Sequence, residues 1–382
     1  MSAPPKKIGM GLIGPGFIAS HHIDAVRRLG FAEVVALADA SVEMARPKAD
    51  ALNIPHAYGS AAELIADPAV DVIHNTTPNH LHFPVSMAAI EAGKHVVSEK
   101  PLGLNPDECR RLRDAAAAAG VVNAVMFNYR GNPLVQQMRA MIAGDAIGKP
   151  VFVKGQYLQD WLTDDKVFSW RLDPKLGGKS SALADIGSHT CDLAEHVMGS
   201  KIVAVLADLG TIVKTRYTSG TTHAFSGSGG GELQAVEIAG EDVATAMVKF
   251  ANGAKGVVTV GQVLPGHKND LQLEINGRIA SLGWKQESQN ELWIGHYDAA
   301  NALLPKDPSL MLPAARPFAH LPGGHQEGWP DAFFNMVREI YRWVQTGTKP
   351  EMVCSFADAT HVTEIVDSMM RSHEAGSVWV EV

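Results

Sequence analysis

The chain has 382 residues, 46% hydrophobic and 19% charged; it exceeds the roughly 250 to 300 residues at which one core stops growing, so two packed domains are expected and a disordered or fibrous chain is excluded. With 33 Lys plus Arg against 41 Asp plus Glu, a net charge of −8 and no basic run longer than a pair, nucleic acid is not an expected partner. The three cysteines, Cys109, Cys191 and Cys354, form neither a disulfide framework nor a Cys-x-x-Cys signature, and no apolar run suits a signal core or a span of about 18 residues, so a cytoplasmic protein without a membrane partner is expected.

From Ile8 to about Met126, apolar runs (Ile8 to Ile13, Val34 to Ala38, Val70 to His74, His95 to Ser98, Val121 to Met126) alternate with helix-like stretches. This is the βαβ rhythm of five or six parallel strands covered on both faces. Gly14-Pro15-Gly16-Phe17-Ile18-Ala19 follows the first strand and opens the first helix. It is the G-x-G-x-x-G/A fingerprint of a dinucleotide site: Gly14 permits the tight turn, Gly16 lets backbone amides approach a pyrophosphate, and Ala19 allows close packing at a helix N-terminus that favours anions. A Gly-rich turn in a flavodoxin-like sheet is the alternative. Asp39, at the end of the second strand, stands near the roughly 20-residue spacing of the acid that binds an adenosine ribose. That favours NAD, while Arg46 leaves NADP open; Asp39 also suits a helix N-cap, for which Ser41 competes. Glu99-Lys100-Pro101 follows the fourth apolar run at the edge where open α/β sheets place ligands, although a solvated strand end would look the same. Asn105 and Pro106 then start a helix that Gly120 ends.

After about Asn132 strand-like runs follow one another (Val151 to Gln159, Ile202 to Val213, Ala244 to Phe250, Gly256 to Val263, Leu271 to Ile275, Ile279 to Trp284, Leu292 to Gly295), with Asn252-Gly253 and Asn276-Gly277 as hairpin signals. Helices are expected at about Leu183 to Met198, Trp329 to Thr346 and Phe356 to His373, and Thr218 to Gly231 reads as a mobile surface loop. The expected fold is α/β: a Rossmann dinucleotide-binding domain over 1–128, and an α+β domain over 129–382 with a large, mainly antiparallel open sheet. One uncovered face of that sheet would favour a homo-oligomer, dimer or tetramer.

Asp185 and His189 are four apart at the start of the Leu183 helix, one turn from each other, so the carboxylate is placed to orient the imidazole. A helix cap and a core histidine are the structural alternatives. Asp192 extends the pattern toward a metal site, but further ligands at a recognisable spacing are missing and no metal is expected. Tyr129, Gln159, Trp161, Trp170-Arg171 and the stretch from His325 to Trp329 mix aromatic faces with hydrogen-bonding groups. That suits a sugar-like ligand better than a phosphorylated one, though each aromatic also fits a structural role.

Together, Gly14 to Ala19, Thr77-Pro78-Asn79-His80-Leu81-His82, Glu99-Lys100-Pro101 and Asp185-x-Gly187-x-His189-x-x-Asp192 resemble the Gfo/Idh/MocA oxidoreductases over nearly the whole chain. The resemblance implies that Lys100, Asp185 and His189 form the catalytic set. It also implies that Gly14, Gly16, Phe17, Ile18, Asp39, Thr77, Pro78, Asn79, His82, Glu99, Lys100, Trp170 and Arg171 bind the cofactor. Substrate would meet Lys100, Tyr129, Gln159, Trp161, Asp185, His189 and His325, the Tyr129, Gln159, Trp161 and His325 features resembling the levoglucosan and glucoside 3-dehydrogenase branch. The implied reaction is hydride transfer from a secondary hydroxyl of a sugar, anhydrosugar or glycoside to NAD, or NADP. A cyclitol dehydrogenase and an NAD-dependent glycoside hydrolase share these features; a non-catalytic NAD-sensing regulator would be expected to lose Lys100, Asp185 and His189, which are present.

Overall fold

The computed structural model describes residues 6–219 and 232–382. The first stretch runs β1 (Ile8–Ile13), α1 (Ala19–Arg28), β2 (Ala32–Ala38), α2 (Val42–Ala51), β3 (His56–Tyr58), α3 (Ala61–Ile65), β4 (Val72–Asn75), α4 (His82–Glu91), β5 (His95–Ser98), α5 (Pro106–Ala119) and β6 (Asn123–Val125). There follow α6 (Pro133–Ala143), β7 (Pro150–Leu158), α7 (Pro174–Gly177), α8 (Ser188–Met198), β8 (Ile202–Gly210), β9 (Thr215–Thr218), β10 (Gln234–Glu237), β11 (Val243–Phe250), β12 (Lys255–Gly261), β13 (Asp270–Gly277), β14 (Ala280–Lys285), β15 (Glu291–His296) and β16 (Ala302–Pro305). The chain closes with α9 (Trp329–Thr346), α10 (Phe356–Glu374) and β17 (Val380–Glu381). Among the described residues no helix is long and apolar enough to cross a membrane.

Internal contacts divide the chain into two units: the described part of 1–128 with Phe333–Thr360, and Tyr129–Ala332 with His361–Val382. The single boundary expected after residue 128 therefore misses a return of the chain. Phe333 sets its ring edge-on to His22 with centroids 4.8 Å apart, the Val125 amide donates to the Cys354 carbonyl at 2.9 Å, and Asn123 accepts from the Phe356 amide at 2.9 Å. These partners lie more than 200 positions apart in the sequence, and the strand rhythm of the first domain carries no sign of them.

The first unit holds a six-stranded sheet in the order β3-β2-β1-β4-β5-β6, parallel throughout. Parallel neighbours require crossovers, which the intervening helices supply. The order reverses between β1 and β4, so the segments leaving Ile13 and Asn75 open at the switch point where such sheets bind ligands. The short β3 escaped the sequence reading because three residues carry no periodicity.

The second unit holds a nine-stranded sheet in the order β16-β15-β14-β13-β7-β12-β11-β8-β17, plus the β9–β10 pair. Every neighbour is antiparallel except β7 and β12, which run parallel. Along β11 buried and exposed residues alternate, so Ala244, Ala246, Val248 and Phe250 enter a core shared with Leu271, Leu273, Ile275 and Trp284. All of α8 is buried. The outward face is mixed, not plainly apolar: exposed Phe152 and Met247 lie beside a Lys154–Glu274 pair. Asn252-Gly253 makes its hairpin between β11 and β12, with Gly253 at φ +88°. Asn276-Gly277 likewise lies at the joint expected of it, closing the β13–β14 hairpin in which Asn276 faces Ser281; a Cβ on Gly277 would fall 2.1 Å from the Ile147 carbonyl oxygen, so close backbone approach also requires the glycine. Of the expected Thr218 to Gly231 loop, residues 220–231 lie outside the described residues, and Thr218 ends β9.

Candidate active site

In the first unit the fingerprint forms an open cradle. Gly14 has φ +87°, and a Cβ on it would lie 2.8 Å from the Thr77 backbone, so the two segments at the switch point meet only because this residue is glycine. Gly16 faces open space with nothing within 4 Å of an added Cβ. Helix α1 starts without a side-chain cap, and Phe17 beside it is 64% exposed. Uncapped amides beside an uncovered glycine suit a pyrophosphate. The residues present thus fit a dinucleotide.

The Thr77 segment is held from behind. Asn75 accepts from Thr77 Oγ1 at 2.7 Å and donates to the His82 carbonyl at 3.1 Å. His82 is buried, its ring nitrogens 2.8 Å from the Thr77 carbonyl and 2.6 Å from that of Pro101. Burial pulls its pKa down against the opposing pull of the two carbonyls. His82 therefore braces the Thr77–Asn79 segment against the Lys100-Pro101 segment. Pro78 and Asn79 begin the short turn leading into α4.

Asp39 is not the cap of α2. Ser41 takes that place, accepting from the Met44 amide, while Asp39 accepts from the Ala40 amide at 2.8 Å and the Lys48 ammonium at 2.7 Å. Arg46 donates to the carbonyls of Ile54 and Pro55 and pairs with Asp50. Lys48 is thus the cation beside Asp39, while Arg46, the residue that left NADP open in the sequence, is engaged with Ile54, Pro55 and Asp50. Glu99 is buried and accepts from His22 Nε2 at 3.1 Å and from the Lys100 amide at 3.1 Å. Lys100 is half-buried.

In the second unit Asp185 lies in a π-helical turn, Leu183–Gly187, that runs into α8 carrying His189. Such wide turns recur at functional sites. The turn is anchored by buried Glu241, which accepts from Ser180 Oγ at 2.7 Å, the Ser181 amide at 3.0 Å and the Leu183 amide at 2.8 Å. Asp185 accepts from Gln262 at 2.8 Å and lies 3.6 Å from Arg171, whose guanidinium stacks 4.6 Å from the Trp170 ring centroid.

His189 is buried with its ring against Tyr129 and Tyr157, centroids 5.0 and 6.1 Å away. The tyrosine hydroxyls lie 2.7 Å apart, Tyr157 donates to Asn269 at 2.5 Å, and Asn269 donates to Tyr129 at 3.0 Å. Burial raises the pKa of both phenols. Gln159 donates to Asn269 at 3.3 Å and accepts from the Trp161 indole at 3.0 Å. Tyr129, Gln159, Trp161, Arg171, Asp185 and His189 thus belong to one neighbourhood. Tyr157, Gln262 and Asn269 belong to it as well, and the sequence reading missed them. Alternation along β7 pointed to Tyr157; nothing local pointed to the other two. His325 is exposed and approaches the Gly323 carbonyl. Glu327 nearby forms a buried pair with Lys306 at 2.7 Å, a structural use of part of that motif.

Residues 8–128 match the profile of an oxidoreductase family with an NAD-binding Rossmann fold, and residues 135–282 match the GFO/IDH/MocA C-terminal domain. The chain belongs to the Gfo/Idh/MocA oxidoreductases and is an NAD(P)-dependent enzyme with an NAD-binding first domain. It is 34% identical over 299 residues to levoglucosan dehydrogenase of Pseudarthrobacter phenanthrenivorans, covering 76% of each chain. Its fold is similar to that of a levoglucosan dehydrogenase solved with NADH and levoglucosan, at TM-score 0.87 and 29% identity over 98% of this chain and 99% of the other. An inositol dehydrogenase homolog of Azotobacter vinelandii, solved with NAD+, shares the fold at TM-score 0.86 and 24% identity over 99% and 98%.

Proposed function

We propose that the chain oxidises a secondary hydroxyl of a sugar, anhydrosugar or glycoside, with Lys100, Asp185 and His189 as its catalytic residues. The observation that carries this reading is the polar and aromatic set around His189: Tyr129, Tyr157, Gln159, Trp161, Asn269 and Gln262. It presents amides, phenols and an indole, groups that match hydroxyls and C–H faces. The name of the similar levoglucosan dehydrogenase supports an anhydrosugar within that class.

The bound nicotinamide supplies the hydride acceptor. In the oxidative direction His189 takes the hydroxyl proton, and Lys100 donates a hydrogen bond to the oxygen as alkoxide character grows. Asp185 stabilises the charge that His189 acquires, and Gln262 keeps its carboxylate aimed. Tyr129 and Tyr157 wall the imidazole and remain protonated. Gly14, Gly16, Phe17, Ile18, Asp39, Thr77, Pro78 and Asn79 hold the dinucleotide, with His82 and Glu99 bracing from behind. Self-association belongs to the same proposal and is checked by light scattering.

The test is a panel of levoglucosan, glucosides and inositols incubated with NAD and with NADP, following reduced-cofactor absorbance beside Lys100→Ala and His189→Ala. Oxidation of a sugar that is lost in both variants is expected. Turnover of inositols alone, or wild-type rates in either variant, would overturn the reading.

A further inference from the structure

Behind the cradle of the first unit, four buried side chains, from α1, β4, α9 and the residue after β5, form one line. Tyr341 Oη on α9 lies 3.1 Å from His74 Nε2 on β4, His74 Nδ1 lies 2.7 Å from His22 Nδ1 on α1, and His22 Nε2 lies 3.1 Å from Glu99 Oε1. The other Glu99 oxygen accepts from the Lys100 amide. His22, His74 and Tyr341 are completely buried. We infer that His22, His74 and Tyr341 are positioning residues: an oriented chain of hydrogen bonds that holds Glu99 as an acceptor and so fixes the backbone of Lys100. The inference rests on the proposed reading only for the task of Lys100.

The direction of the chain follows from donor accounting. Two facing Nδ1 atoms at hydrogen-bond distance require one bare and one protonated nitrogen. Burial keeps the Tyr341 phenol well above its ordinary pKa and the His74 imidazole well below its own. Tyr341 thus keeps its hydrogen and His74 is neutral. Glu99 can only accept, so His22 donates to it from Nε2; with its one proton there, His22 leaves Nδ1 bare to accept from His74 Nδ1. Neutral His74 then has a bare Nε2, to which the Tyr341 hydroxyl donates. The two histidines hold opposite tautomers, and every donor points toward the carboxylate that receives the Lys100 amide. Chains oriented in this way polarise one another, so losing the far end weakens the near one.

The test uses the full chain with ring-15N histidine, its two signals assigned through His22→Gln and His74→Gln. An Nε2–H tautomer at His22 and an Nδ1–H tautomer at His74 are expected between about pH 6 and 8. Like tautomers, or a doubly protonated ring at either position, overturn the chain. Amide exchange at Lys100 should quicken about tenfold in Tyr341→Phe and in Glu99→Gln, with the double variant no faster than Glu99→Gln alone. The NADH dissociation constant of Tyr341→Phe should stay within about twofold of wild type. Unchanged Lys100 exchange in Tyr341→Phe, or additive effects in the double variant, would reduce the four residues to ordinary packing and overturn the inference. A protein that binds NADH but oxidises no sugar counts against the proposed function alone, because the ring and amide signals still decide the chain.

Discussion

Gln262, the residue after β12, donates its side-chain amide to Asp185 at 2.8 Å, so the end of a strand aims a carboxylate that belongs to a helical turn. Gln262→Leu removes that donor without adding charge. The expected result is a fall of about tenfold in kcat/KM, the value of one hydrogen bond to a charged group. Thermal unfolding should change far less. Steady-state kinetics with the best sugar of the panel checks this, and unchanged kinetics would separate Gln262 from the reaction.

Glu241 gathers three donors at the start of the π-helical turn. Glu241→Ala strands two buried amides and a hydroxyl, at an expected cost of about 3 kcal/mol in unfolding free energy. Glu241→Gln keeps one oxygen acceptor and should recover part of that loss. Denaturant titration of both variants distinguishes an anchor from a bystander.

The Lys48 ammonium on Asp39 offsets the carboxylate charge that would repel a 2′-phosphate. Lys48→Met exposes that charge and should weaken NADPH binding by about two- to fivefold relative to NADH, as befits a partly exposed pair. Fluorescence titration with the two reduced cofactors measures the ratio. A ratio equal to that of the native chain would remove Lys48 from cofactor selection.

Gly14→Ala places a methyl group 2.8 Å from the Thr77 backbone and a side chain at φ +87°. The backbone term alone costs about 1–2 kcal/mol. NADH affinity should fall by about tenfold or more as the cradle opens. Equal affinity in a folded variant would show that the fingerprint does not hold the dinucleotide.

His74 gives the fold a pH dependence of definite sign. Its imidazole is held well below the ordinary value by burial, with His22 adding to the effect. The unfolded chain therefore binds a proton near pH 6.5 that the folded chain refuses. Stability is retained above that value and declines as pH falls beneath it, by at most about 1.4 kcal/mol per pH unit for this group. His74→Gln should flatten that slope between about pH 6.5 and 5, as read from unfolding midpoints. An unchanged slope would place the acid sensitivity elsewhere.

Local pattern made much of the fold legible. β1 and β5 fall on the runs read from the sequence, and the fingerprint, Thr77 and Glu99-Lys100 stand at strand ends where the βαβ rhythm puts them. Asp185 and His189 were legible because their spacing is that of one helical turn. Asn269 and Gln262 were hidden: they join Tyr157 and Gln159 only through the sheet order β13-β7-β12, which no short window encodes. The return of Phe333–Thr360 was hidden for the same reason, and with it the role of Tyr341. Asn276-Gly277 marked the β13–β14 joint, but the close approach of Gly277 to the Ile147 carbonyl carries no local signal.

The parallel pairing of β7 with β12 has a consequence for how such a protein diversifies. Two strands running the same way cannot be joined by a tight hairpin, so after β7 the chain makes a long excursion before it rejoins the sheet at β8 and, through β11, reaches β12. That excursion carries Trp161, Arg171, Asp185 and His189, whereas the pairing of β7 with β12 and β13 sets the frame. Lengthening or exchanging such a detour costs little closure entropy, so ligand preference is free to drift while the framework stays constant.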